Sequence, residues 1–328
     1  MENGGEKGSV CVTGGAGYLA SWLIMRLLEN GYSVRATARL DPKFNEDVTH
    51  LKAFPHASEK LQIFDADLNK PDSFNDVIEG CVGVFHVAHP IDLEGKRPEA
   101  SVTKTAVDGA LGILKACLQA KTVKKVVYSS SMAAAVISKL NVQEIDESQW
   151  TDVDFCRTLD VPGISYVISK TVTERESIKF AKEHGLQLVT MLPALIVGPF
   201  SSPRIPESVA IALSLFNGDP EKPLPAWNTN LVHVDDVVAA QIFLFESPKA
   251  EGRYVCCSTN TTVPELAKFI TGKYPELKVR PELLSDVGSE NIVRLSSNKL
   301  LGLGFEFKHG LEGIFDGAIQ CCKEKNLL

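Results

Sequence analysis

Tyr166 and Lys170, four residues apart in Tyr166-Val167-Ile168-Ser169-Lys170, have the types and spacing of a proton-transfer pair. On a helix, positions i and i+4 share a face, so the phenol and the ammonium become neighbours. A free phenol titrates near pH ~10, and a cation beside it favours the phenolate. Such a tyrosine can exchange a proton with a substrate oxygen near neutral pH. Three hydroxyls, Ser129, Ser130 and Ser131, follow the apolar run Lys125-Val126-Val127-Tyr128. A hydroxyl at a strand end can hydrogen-bond a reacting oxygen and hold it in place. Ser131 is the preferred candidate and Ser130 the fallback. No Gly-x-Ser-x-Gly elbow supplies a hydrolase nucleophile. His86 and His89 lack a third ligand, so no metal site is expected; His89 is a candidate for touching the cofactor or substrate.

A second constellation stands near the start of the chain. Gly14-x-x-Gly17-x-x-Ala20 follows the apolar run Ser9-Val10-Cys11-Val12-Thr13 and opens a helix-period stretch. Glycine permits the positive φ of so tight a turn and lets the backbone approach a pyrophosphate. The helix N-terminus, with Tyr18 and Leu19 as its first residues, meets the negative charge. A dinucleotide is the ligand this arrangement implies. At the end of the next strand an NAD site usually carries an acid for the ribose hydroxyls. Here the segment reads Arg35-Ala36-Thr37-Ala38-Arg39, with no acid before Asp41. The planar fork of Arg39 suits a 2′-phosphate, with Lys43 as a second candidate, so NADP(H) is favoured over NAD(H). Asp67-Leu68 follows another strand and reads either as an adenine contact or as a plain surface turn.

The elements that must position these residues alternate strand and helix over the first 190 residues, the pattern of a doubly wound parallel sheet. Strands are expected at Ser9–Thr13, Tyr32–Thr37, Leu61–Phe64, Val82–Val87, Lys125–Tyr128 and Gln187–Leu192. Helices are expected from Tyr18 to Asn30, closed by Gly31, and over about 99–120 and 166–183. Asp235 and Asp236, and Thr262 with Pro264, look like openings of later helices. Prolines become frequent after Pro193 and the elements shorten. The expected organisation is a Rossmann-type dinucleotide domain over 1–192, with 229–250 packing on it, and a smaller substrate lobe over 193–228 and 251–328. Pocket walls are expected from His89, Val136, residues 199–205, Phe216 and Trp227.

Composition narrows the function classes. A net charge of −7 argues against a polyanion-binding surface. The polar start of the chain lacks a signal-peptide core, and no run suits a membrane span, so a cytoplasmic, membrane-free protein is expected. Eight cysteines without a C-x-x-C spacing read as buried or inert thiols.

With these motifs in hand, the sequence resembles the extended short-chain dehydrogenase/reductases. The likeness rests on Val12-Thr13-Gly14-Gly15-Ala16-Gly17-Tyr18, Tyr166-Val167-Ile168-Ser169-Lys170 and Pro193-Ala194-Leu195-Ile196-Val197-Gly198-Pro199-Phe200. Gly83–Ala88, Val232-His233-Val234-Asp235-Asp236 and Gly302–Phe307 extend it towards the plant dihydroflavonol reductase-like group. The resemblance implies Ser131, Tyr166 and Lys170 as a catalytic triad and Arg39 as the 2′-phosphate contact. It also implies cofactor contacts from Gly14, Gly17, Asp67, Ala88 and Pro193. Two positions depart from the group: His89 stands where Thr or Ser is frequent. Val136 stands where dihydroflavonol reductases carry a substrate-binding Asn. The apolar stretch from Met132 to Val136, with Asp41-Pro42-Lys43-Phe44, is similar to the noscapine synthase branch of alkaloid metabolism, which oxidises a cyclic hemiacetal.

The expected activity is NADPH-dependent reduction of a ketone or aldehyde in a plant aromatic specialised metabolite, flavonoid- or alkaloid-like, by a monomer. One alternative is an NAD(P)⁺-dependent alcohol or hemiacetal dehydrogenase. The other is a nucleotide-binding sensor without turnover.

Overall fold

The computed structural model describes residues 7–44, 46–92, 96–139, 142–217, 229–280, 283 and 293–328, with backbone alone at 215–217 and 229. In chain order the strands used below are β1 (Ser9–Val12), β2 (Ser33–Ala38), β3 (Leu61–Asp65), β4 (Gly83–His86) and β5 (Lys125–Ser129). They continue with β6 (Leu188–Pro193), β7 (Leu195–Val197), β8 (Thr229–His233), β9 (Gly252–Cys256) and β10 (Thr259–Thr261). The longer helices are α1 (Tyr18–Glu29), α2 (Glu99–Ala120), α3 (Ile164–His184), α4 (Glu207–Asn217), α5 (Val234–Glu246), α6 (Val263–Lys273) and α7 (Leu311–Glu324).

Seven strands form one sheet in the order β9-β6-β5-β4-β1-β2-β3. The order reverses at β1, so β1 and β4 flank a topological switch point, where open α/β sheets bind ligands. Pairing is parallel from β3 through β6, with Val12 opposite both Ala36 and Phe85, and Ser129 opposite Met191. The carboxyl ends of these strands therefore share one edge. The central strands are apolar throughout because helices cover both faces; β4 and β5 are buried at every position. One face packs Leu23, Ile24, Leu27 and Leu28 of α1 against Val10, Val12 and Val34. The other packs Ile113, Leu114 and Cys117 of α2 against Cys11, Val84 and Val126.

The expected doubly wound sheet is the one formed, with one strand more than the sequence pattern located. That strand, β9, fell within the stretch assigned to the C-terminal lobe. Local signals set several boundaries. Gly31 adopts φ +87° just after α1. Thr262 and Glu265 form a reciprocal capping box at the start of α6. All eight cysteines are buried and free.

The chain divides into two compact units. One comprises Met1–Leu140, Glu147–Leu192 and Val238–Tyr254; the other comprises Asn141–Asp146, Pro193–Val237 and Val255–Leu328. Residues 141–146 and 229–237, expected with the nucleotide domain, thus group with the second unit. The second unit contains the three-stranded sheet β10-β8-β7. Among the described residues, no helix is long and apolar enough to cross a membrane.

Candidate active site

The glycine turn joins β1 to α1. Gly14 has φ +74°, and a Cβ there would stand 3.1 Å from both Cα and Cβ of Ala88. Glycine is required at that position on both counts. The turn is tied to β2: Gly14 N–H donates to Thr37 Oγ1 (3.1 Å) and Gly15 N–H to Thr37 O (2.6 Å). Gly17 is the N-cap of α1, with no side-chain capping bond and no acid in the first turn. The positive end of the helix dipole therefore faces no carboxylate of its own first turn. A narrow glycine turn before an acid-free helix start fits a dinucleotide pyrophosphate.

Sequence reasoning passed over Thr13, which organises this edge. Its Oγ1 accepts from Val87 N–H and Ala88 N–H, both at 3.0 Å. With both lone pairs engaged, the hydroxyl proton goes to His86 Nδ1 at 3.0 Å. Burial, with Lys170 nearby, holds His86 down at about 3, so the ring is neutral and able to accept. One buried hydroxyl thereby fixes the turn from β4 into Ala88 and His89. The signal for it was a threonine placed directly before the glycines.

Arg39, just past β2, is engaged by the chain itself. Its N–H and Nε donate to the two carboxylate oxygens of Glu46 at 2.8 and 2.7 Å, and Phe44 lies 4.4 Å from the guanidinium carbon. Lys43 pairs with Asp41 at 2.6 Å. Asp67 Oδ1 accepts from the backbone and side-chain amides of Asn69. The Leu68 side chain turns inward: a Cβ on Gly109 of α2 would come within 2.7 Å of it. Pro193 closes β6.

Tyr166 and Lys170 share a face of α3, with Lys170 Nζ 5.9 Å from the Tyr166 ring centroid. Lys170 is buried and donates to Ser129 O at 2.9 Å. Burial lowers its pKa to about 7, and the charge of Glu174 opposes that fall. Glu174, one turn further on, is fully buried. It accepts from Ser130 Oγ (2.7 Å), Thr190 Oγ1 (2.6 Å) and Arg253 Nε (3.0 Å). Arg253 in turn caps the carbonyls of Glu147 and Gln149 and lies 3.6 Å from the Trp150 ring. The continuing four-residue spacing from 166 to 170 to 174 was the available signal for Glu174.

The three serines separate by partner. Ser129 Oγ accepts from Gln241 Nε2 at 2.6 Å. Ser130, the fallback candidate, is buried with its proton on Glu174, so the ion pair and not the reacting edge engages it. Ser131 is only half-buried, and its Oγ accepts from Ala133 N–H at 3.2 Å. That bond orients the hydroxyl and leaves its proton to donate.

Around the phenol, the His89 ring meets Tyr166 edge-on at 5.7 Å and its Nε2 lies 3.1 Å from Ser169 Oγ. Burial, Lys170 and His86 hold His89 well below the usual histidine range, so it stays neutral. Val136 is half-buried in a loop pinned by Thr151, whose Oγ1 donates to Ala133 O and accepts from Ile137 N–H. Trp227 and the Phe216 side chain lie outside the described residues. Among the described residues no cluster of His, Cys, Asp and Glu is arranged to hold a metal.

Residues 10–257 match the NAD dependent epimerase/dehydratase family. A noscapine synthase of Papaver somniferum is 55% identical over 325 residues, covering 97% of this chain and 93% of that protein. Vestitone reductase of Medicago sativa is 46% identical over 323 residues, covering 98% and 99%. The solved structure of the alfalfa vestitone reductase superposes with a TM-score of 0.87 at 44% identity, covering 98% of this chain and 100% of that one. Fold and relatives together define an NAD(P)(H)-dependent oxidoreductase acting on CH–OH and C=O groups. Within that class, the chain belongs to the extended short-chain dehydrogenases/reductases of the NAD dependent epimerase/dehydratase family, in the plant dihydroflavonol reductase-like group.

Proposed function

We propose that the protein reduces a ketone or aldehyde group of a plant aromatic specialised metabolite, with NADPH as the preferred cofactor. The observation that carries this reading is the buried Lys170 beside the Tyr166 ring on α3. The dinucleotide, when bound, supplies the hydride. The glycine turn at Gly14 and Gly17, the amides of Tyr18 and Leu19, Asp67, the backbone at Leu68, Ala88 and Pro193 would hold it. Arg39, with Lys43 beside it, would meet a 2′-phosphate. Tyr166 gives the substrate oxygen a proton, and Ser131 donates a hydrogen bond to the same oxygen. Lys170, when charged, favours the phenolate and so eases the proton's departure. His89 and Val136 line the substrate side; a neutral imidazole and an apolar side chain there suit an aromatic ligand. The protein acts as a monomer.

A second reading runs the chemistry in the other direction, as an alcohol or hemiacetal dehydrogenase. The 55% identity to a noscapine synthase supports it. Purified protein is assayed for NADPH consumption on aromatic aldehydes and ketones, and for NADP⁺ and NAD⁺ reduction on alcohols and lactols. Turnover in the first panel supports the reductase; turnover confined to the second supports the dehydrogenase. Cofactor binding with no turnover in either overturns both in favour of a sensor.

A further inference from the structure

Glu46 holds Arg39, the residue that would recognise a 2′-phosphate. Its spacing from the glycines is longer than that of the usual ribose-binding acid, and it lies just past the short 3-10 turn Pro42–Phe44 that follows β2. Both carboxylate oxygens turn towards Arg39. Oε2 accepts the Arg39 backbone N–H at 2.8 Å, while Oε1 accepts from Nε at 2.7 Å and lies 2.6 Å from Nη2. Phe44 covers one face of the guanidinium, 4.4 Å from its central carbon. The loop is anchored on its other side by Leu40 N–H donating to Asp65 Oδ1 at 2.9 Å. The second cation of the segment, Lys43, is likewise matched by Asp41 at 2.6 Å.

A guanidinium has five N–H donors. Glu46 takes Nε–H and one edge of Nη2, and among the described residues none takes the Nη1 side. The Arg39 side chain is 41% exposed and that of Glu46 is 21%, so the pair is open to a ligand. A 2′-phosphate would bring close to two negative charges against a cation already matched by a carboxylate. It must either share the fork with Glu46 or displace it. A ribose with a free 2′-hydroxyl brings no charge, and a carboxylate at this edge is the group that accepts from such a hydroxyl.

We propose that Glu46 is a built-in competitor for the 2′-phosphate, so that Glu46 and Arg39 together set how strongly the site prefers NADP(H) over NAD(H). The proposal rests on the dinucleotide reading of the glycine turn. Arg39 supplies the attraction, and Glu46 limits it.

The test uses the full chain and a readout independent of turnover. Binding of 2′,5′-ADP and of 5′-AMP, which differ by the 2′-phosphate, is measured calorimetrically for wild type and Glu46→Gln, with NADP⁺ and NAD⁺ as companions. The amide keeps the size of the side chain and removes its charge. Glu46→Gln is expected to tighten 2′,5′-ADP and NADP⁺ by about tenfold, leaving 5′-AMP and NAD⁺ within about twofold. In an Arg39→Ala background the same substitution should produce no gain. Any outcome without a selective gain for the 2′-phosphorylated ligands overturns the proposal, while nucleotide binding by wild type still upholds the dinucleotide reading. If folded wild type binds neither dinucleotide, that reading falls and the proposal falls with it.

Discussion

Lys170 and Glu174 stand one helical turn apart on the buried face of α3, and the carboxylate works against the loss of charge that burial imposes on the lysine. The lysine is directed by Ser129 O. The carboxylate is directed by Ser130, Thr190 and Arg253. The end of β5 thus fixes two successive groups on α3. Tyr166 occupies the turn before them, so the backbone that presents Ser131 also registers the phenol.

Glu174→Gln is expected to destabilise the fold by about 3–5 kcal/mol, because it leaves the Arg253 guanidinium buried without its counter-charge. Arg253→Met, which removes the other partner, should cost a similar amount. Urea unfolding followed by circular dichroism measures both. A loss below about 1 kcal/mol in either variant would contradict a buried ion pair at this site.

The depressed pKa of Lys170 makes stability depend on pH with a defined sign. Its folded value of about 7 lies below the 10.5 of a free lysine. Between those two values the unfolded chain binds the extra proton, so this group's contribution rises with pH. The slope reaches up to about 1.4 kcal/mol per pH unit, and below about pH 7 the full cost of burying the charge is present. Lys170→Met is therefore expected to be most stabilised relative to wild type at pH 6, with the difference shrinking towards pH 10. Taking that difference cancels the buried thiols common to both proteins. A difference that stays flat with pH would refute a lysine titrating in this window.

Thr13→Val keeps the shape of the side chain and removes the hydroxyl that serves Val87 N–H, Ala88 N–H and His86. Two part-buried backbone donors and one buried imidazole acceptor lose their partner. Each unsatisfied buried group costs about 1–3 kcal/mol; the two amides are only part-buried, so a loss at the low end of the sum, about 3–5 kcal/mol, is expected. Nucleotide affinity should fall as well, since Ala88 packs directly against Gly14. Full stability together with unchanged nucleotide binding would remove Thr13 from its role.

Much of this was legible before any coordinates, and the reasons are local. The glycine turn announces itself because a positive φ and a close backbone approach each exclude other residues. The 99–120 helix is read correctly to its ends, since a long segment leaves little doubt about its period. The Tyr166 and Lys170 pair is visible because helical spacing alone makes the two neighbours. What stayed hidden depends on contacts across the sequence. Glu46 meets Arg39 at a separation of seven residues, a spacing that no helix or strand period announces. Ser130 reads as a reacting hydroxyl until Glu174 and Arg253 are seen around it. The strand β9 follows a helix whose opening is legible at Asp235 and Asp236, but its residues resemble any short buried run of the smaller lobe.

Replacing Tyr166 with Phe tests the chemistry most directly. The substitution removes one oxygen from a half-buried ring and leaves the contact with the His89 edge in place. General acid–base groups typically contribute about 10²–10⁴-fold to rate, so kcat should fall by that amount with whichever substrate the carbonyl or alcohol panel yields. Nucleotide affinity should change by less than about threefold, because the glycine turn and Arg39 are untouched. The unfolding midpoint should also be preserved, which separates a chemical loss from a structural one. His89 is neutral beside the phenol, its ring edge-on to Tyr166, so its part in proton transfer can be tested directly. Tyr166→Phe with His89→Ala should therefore be compared with the single variant. A further fall would show His89 carrying the residual proton traffic, and equal rates would show it acting only as a wall of the pocket. Wild-type turnover in Tyr166→Phe itself would end the assignment of the phenol as proton donor.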